Sequence, residues 1–188
     1  MTKQVLYGAF LGLTWGASLR AWMTVLTLEF GSRPEFTWSG TFGAILLPAA
    51  LVGALLGKAA HAAETSGNKW WRWATLSPLL LMVAPMLITE NFITTLVTTG
   101  MGGGAIAVAL IGLCGGYAFS EWGPRGLRWV AGFLAVSLTL ASVYGFYFAS
   151  GAVSATPTSS EVFGGLLYVL LLAGLVAGVS APSRYASK

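Results

Sequence analysis

Charge is scarce in this 188-residue chain: Asp, Glu, Lys and Arg together make up 9% of it, against about 25% in a soluble domain. Aspartate is missing altogether, so the six acidic residues are all glutamate. This scarcity excludes a water-soluble globular enzyme, and a hydrophobic content of 56% excludes an intrinsically disordered chain. A single cysteine, Cys114, excludes an internal disulfide, and a single histidine, His61, excludes a bis-histidine haem made by one chain. No glycine-rich phosphate loop with its lysine, no Gly-x-Ser-x-Gly and no lysine in the middle of an apolar run occurs. An ATP site, an intramembrane serine protease and a retinal Schiff base are therefore not expected. His61 and Glu64 have the i, i+3 spacing of a helical metal site, yet no second His and no Asp or Cys lies nearby in the sequence. No enzyme activity, metal or other cofactor is expected.

What remains is apolar and glycine-rich. Mean hydropathy is +0.76, and six apolar runs span about Val5–Leu28, Thr41–Gly57, Trp73–Ile88, Gly102–Phe119, Leu127–Ala149 and Phe163–Ala181. A membrane helix needs about 20 such residues. Inside lipid only a helix or a closed barrel satisfies its own backbone, and barrel strands alternate over about ten residues, whereas these runs are longer and apolar on every face. The expected fold is an all-α polytopic membrane bundle of six transmembrane helices, forming a single integral membrane domain over residues 1–188.

Placement of the basic residues orients that bundle. Lys3, Lys58, Lys69, Arg72, Arg125, Arg128, Arg184 and Lys188 fall in alternate connections or at the termini, and only Arg33 falls in the others. By the positive-inside rule both termini are cytoplasmic, N-in and C-in, in a bacterial-type inner or plasma membrane. Even parity favours six spans. Trp70, Trp71, Trp73, Trp122 and Trp129 cluster at the cytoplasmic boundary and Trp38 at the outer one, where amphipathic rings prefer to sit. The scattered cytoplasmic charges are explained by topology and anionic headgroups. Nucleic acid is not implied.

Gly8, Gly12 and Gly16 recur every fourth residue on span one, and Gly53 with Gly57 repeat the pattern on span two. Small residues at this spacing let helix backbones approach closely. The span-one ridge either packs inside the chain's own bundle or docks a membrane protein partner or a second copy. Pro48 in span two and Pro78 and Pro85 in span three remove backbone donors and predict kinks.

Arg20 is the most costly residue in the sequence. It lies about 5 Å outward of the middle of span one at ~1.5 Å per residue, where insertion costs roughly 2.5–3.5 kcal/mol. Its expected partner is Glu90 at the outer end of span three, with Glu29 as an alternative. Trp15 and Ser18 lie close to it along the chain, and together the four residues outline a solute path or gate. A structural ion pair or snorkelling accounts for Arg20 equally well.

Fragments resemble known families. Gly16-Ala17-Ser18-Leu19-Arg20, Trp38-Ser39-Gly40-Thr41 and Gly112-Leu113-Cys114-Gly115-Gly116 are similar to motifs of the small dual-topology fluoride channels. Those channels have four spans, and their helix-two asparagine would fall near Ile45. Size and topology also resemble the substrate-binding membrane subunits of energy-coupling-factor vitamin importers, which have six spans and a small-residue ridge on helix one. The expected function is that of a small transport protein, a channel or carrier subunit for a small anionic or apolar solute. The alternative is a non-catalytic subunit of a larger complex, docked through the span-one ridge.

Overall fold

The computed structural model describes residues 2–29, 36–65, 69–88, 91, 94, 103–149 and 159–186. These residues are helical apart from short turns, with no strand among them. Helix α1 runs Thr2–Glu29, a π-helix covers Ser39–Leu46 and continues as α2 over Leu47–Thr65, and α3 is the single turn Trp71–Ala74. The remaining helices are α4 (Leu79–Ile88), α5 (Gly103–Ala118), α6 (Arg125–Ala149) and α7 (Ser159–Ala186).

Three helical stretches are long and apolar enough to cross a membrane: Ser39–Thr65, Arg125–Gly145 and Glu161–Ala186, of 27, 21 and 26 residues. Helix α1 is as long, at 28 residues, but it carries Arg20 within its apolar stretch. Helices α4 and α5 are apolar but shorter, at 10 and 16 residues.

The third apolar run is the one that departs from a continuous helix. It breaks at Thr75–Pro78, where Ser77, Leu79, Leu80 and Leu81 donate to carbonyls three residues back, at 2.9–3.0 Å. Proline disfavours the helical conformation in the residue before it and supplies no donor of its own. Pro78 is therefore a break rather than the kink expected of it, and it is almost fully buried. Pro85 does lie inside α4. Pro48 sits at the junction where the π-helix tightens into α2, and Pro182 lies inside α7.

Glycine spacing governs the largest interface. A Cβ placed on Gly53 would lie 2.9 Å from Gly12 Cα, one on Gly16 would lie 2.8 Å from Ala49 Cβ, and those on Gly8 and Gly57 would strike the backbones of Gly53 and Gln4. The helix that docks on the Gly8–Gly12–Gly16 ridge is thus the chain's own α2. As residue numbers rise on α1 they fall on α2, so the two are antiparallel.

Two tryptophans fasten α1 to α7 in the same sense. The Trp15 indole donates to the Leu171 carbonyl and the Trp22 indole to the Gly164 carbonyl, each at 2.8 Å. Trp22 also stacks on Tyr168 at 4.5 Å between ring centres. Helix α5 runs parallel to α7, with Gly112 receiving Leu175 and Gly116 receiving Val179. These registers bring the start of α1, the ends of α2, α5 and α7, and the start of α6 to one end of the bundle. Lys58, Arg72, Arg125, Arg128 and Arg184 are all at that end, called here the basic end. The core between the helices is built from Val52, Leu56, Leu81, Ile111, Leu172 and Leu175, among others.

Replacing Trp22 with Phe keeps a ring over Tyr168 but removes the indole donor. A loss of about 1 kcal/mol is expected, as for a single hydrogen bond between membrane helices. Thermal unfolding in detergent measures it, and an unchanged midpoint would show that the Gly164 bond contributes nothing.

Candidate functional site

Arg20 lies half-buried on the face of α1 that meets the π-helix. Its Nε donates to Thr41 Oγ1 at 3.3 Å and its Nη1 to Thr24 Oγ1 at 3.4 Å. Thr41 is buried in the first turn of the π-helix, and its own amide donates to the Thr37 carbonyl at 2.9 Å. The π-helix begins at Ser39, two residues before Thr41; such turns recur at functional sites. Glu90, and with it the expected Arg20–Glu90 pairing, lies outside the described residues, as does the side chain of Glu29.

The structure does not gather Arg20, Trp15 and Ser18 at one site. Trp15 points to α7 and fastens there, and Ser18 Oγ donates to the Thr14 carbonyl of its own helix at 2.9 Å. Residues five or two apart on a helix leave it in different directions. Thr41→Val keeps the shape of the side chain but removes the acceptor that ties Arg20 to the π-helix. A destabilisation of about 1.5–3 kcal/mol is expected, as for a hydrogen bond to a charged group; a thermal midpoint equal to wild type would show that Thr41 does not hold the arginine.

The cavities lie elsewhere, along the seam of α5, α6 and α7. One, of about 730 Å³, opens at the basic end and is lined by Leu113, Cys114 and Tyr117 of α5, Val130 and Leu134 of α6, and Val179 of α7, besides Arg72, Leu76 and others before α4. The other, of about 350 Å³, lies toward the far end beside Ala107, Ser142, Val143 and Tyr168. The two share faces. On α5 they take Ala107 and Cys114, seven residues apart, and on α7 they take Tyr168 and Val179, between which Leu172 and Leu175 continue the stripe.

Between them the seam is closed by side chains. Val108 and Ile111 of α5 and Leu172 and Leu175 of α7 are buried, with Leu138 of α6 packed against them. The two linings are six positions apart on α5 (Ala107 to Leu113), eight on α6 (Leu134 to Ser142) and eleven on α7 (Tyr168 to Val179), so the layer between them is about 9–16 Å thick at ~1.5 Å per residue. Leu175 enters the notch left by Gly112, which brings α5 and α7 together within this layer.

The larger cavity has a basic, aromatic rim. The Arg72 guanidinium lies 5.0 Å from the Trp122 ring centre and 5.7 Å from that of Trp71. Trp122 meets Trp71 and Tyr117 edge to face at 6.4 and 5.3 Å. Gly123 makes this possible: its φ of +92° is a left-handed conformation, and a Cβ there would strike the Tyr117 hydroxyl. Arg72 Nε is buried and meets no acceptor. Thr75 and Leu76, in the break before α4, also line this cavity.

Sequence reasoning placed the tryptophans in an interfacial belt and did not find this rim. The available signal was their company: Trp70, Trp71 and Trp73 flank Arg72, and Trp122 precedes a glycine and a proline. Among the described residues no group of three His, Cys or Glu side chains is placed to hold a metal ion. No family model, no curated protein and no solved structure matches the chain.

Proposed function

We propose that the chain is a six-helix integral membrane protein of the inner or plasma membrane, with both termini cytoplasmic, that moves a small solute and catalyses no reaction. The observation that carries this reading is a pair of cavities on one helical seam, lying toward opposite ends and separated by an apolar layer. A path occluded in its middle and bordered by a broken helix is the arrangement transporters use. The basic residues gathered at one end support a cytoplasmic placement of that end.

In this reading Arg20 is a latch rather than a wall of the path, holding α1 to the π-helix through Thr41. The alternative of an accessory subunit would need a surface other than the Gly8–Gly12–Gly16 ridge, because α2 covers that ridge. An apolar seam with a cationic rim favours anionic or apolar solutes over cations. The direct test is reconstitution into liposomes, with transbilayer movement of laurate and of chloride each measured against protein-free vesicles. Protein-dependent movement of either probe supports transport. Rates equal to those of empty vesicles for both, with correctly inserted protein, would sink it.

A further inference from the structure

We infer that the cavity at the basic end binds an anionic amphiphile, with its phosphate or carboxylate head on Arg72 and its alkyl chain along α6. The inference deepens the transport reading by naming a ligand class for the same seam, but binding is measured separately from flux.

The head site follows from how Arg72 is held. The Trp122 and Trp71 rings, perpendicular to each other, hold the guanidinium at 5.0 and 5.7 Å from their centres, which fixes its position at the cavity rim while leaving N–H donors to bind. Its Nε is buried with no acceptor and is turned away from the cavity that Arg72 lines, so an oxyanion there binds through the Nη donors, which can take two acceptor oxygens together. Lys69 lies at the same mouth and adds a second positive charge without competing for that geometry. No acidic side chain lines the cavity, so nothing there repels an anion.

The tail site follows from the wall. Leu76, Leu113, Leu127, Val130 and Leu134 continue from the rim along the cavity. Leu127, Val130 and Leu134 are also partly exposed on the outer surface of α6. Helix α6 packs on α5 and only slightly on α7, so the cavity opens sideways between α6 and the α3–α4 break. An alkyl chain can enter through that opening from within the membrane while the head stays at the tryptophan level. A free inorganic anion would leave this wall unused, and an uncharged lipid would leave Arg72 unmatched.

Cys114 is the only cysteine of the chain and lines this cavity, so its alkylation reports occupancy without a mutation. The protein would be placed in nanodiscs of zwitterionic lipid, and N-ethylmaleimide addition followed by intact mass. Decyl phosphate is expected to slow labelling in a saturable way, while decyl phosphocholine and inorganic phosphate at equal concentration leave the rate unchanged. Arg72→Gln should raise the half-protecting concentration about ten-fold, and Arg72→Lys should fall between, since lysine keeps the charge but not the fork. Slower labelling in phosphatidylglycerol nanodiscs with no added probe would support a bilayer lipid as the occupant. Protection by decyl phosphate alone would support a single-chain ligand. Equal protection by the phosphocholine, protection by inorganic phosphate alone, or none by either anionic amphiphile overturns the inference. The wild-type comparison stands even if the Arg72 variants fail to fold. Protection without laurate or chloride flux would leave this site standing and remove the transport reading; flux without protection would do the reverse.

Discussion

Gly12→Leu is expected to destabilise the protein by roughly 3 kcal/mol, the upper end of overpacking costs, and to lower its yield as a single species from detergent. A Cβ at Gly12 would already strike the Ala49 carbonyl, with Gly53 Cα 3.1 Å away. The obstacle is backbone, which cannot rotate aside as a side chain does, so α1 and α2 must separate along their length. Separation also costs the contacts at Gly8 and Gly16, because one rigid helix carries all three glycines. Thermal unfolding and size-exclusion profiles measure the effect. Gly126→Ala is the matched control: nothing lies within 4 Å of a Cβ there, so its midpoint should stay at or slightly above wild type. If Gly12→Leu behaves like Gly126→Ala, the ridge is not buried against α2, and the accessory-subunit alternative regains its docking surface.

Filling either cavity should stop transport while leaving the fold intact. Ala107 borders the cavity at the far end, of about 350 Å³, and Ala131 borders the larger one, of about 730 Å³. Phenylalanine at either position has open space to occupy, so the cost of overpacking is largely avoided. Each variant is expected to reduce protein-dependent laurate or chloride flux about ten-fold or more, since a barrier raised by ~1.4 kcal/mol has that effect. Leu140→Phe is the control, at an exposed position of α6 that lines neither cavity. Proteoliposome flux, normalised to inserted protein, separates the cases. A path through the seam predicts that both cavity variants fail together. Full flux in both, with Arg20→Ala inactive, would return the path to the π-helix side of α1.

Much of the architecture was legible in the residues. Five of the six apolar runs fall within helical stretches and the third is broken at Thr75–Pro78, with three stretches long and apolar enough to cross a membrane. The helix of span two continues past Lys58 to Thr65, as an Ala-rich stretch ending in Thr-Ser-Gly-Asn implies. Four-residue glycine spacing marked the faces of α1 and α2 that meet. The break in the third run follows from Pro78 and the polar residues before it, although proline alone does not distinguish a kink from a break.

Partners were not legible, because helical periodicity reports which face is special and not what lies opposite it. Gly12 and Gly53 are far apart in sequence, as are Trp15 and Leu171 or Cys114 and Leu134, and only the packed bundle pairs them. That is why Trp15, as compatible with lining a cavity as with the core, turns out to fasten α1 to α7. It is also why Arg20 drew attention over Arg72: an arginine within an apolar run is visible by itself, whereas an arginine beside tryptophans looks like an ordinary interfacial residue until Trp122 arrives from another helix. The π-helix over Ser39–Leu46 had no signature in the residues. Composition and spacing determined that the chain is helical, apolar and closely packed through glycine. The tertiary structure decided which faces are covered and where space is left, because cavities belong to gaps between helices and no single helix encodes them.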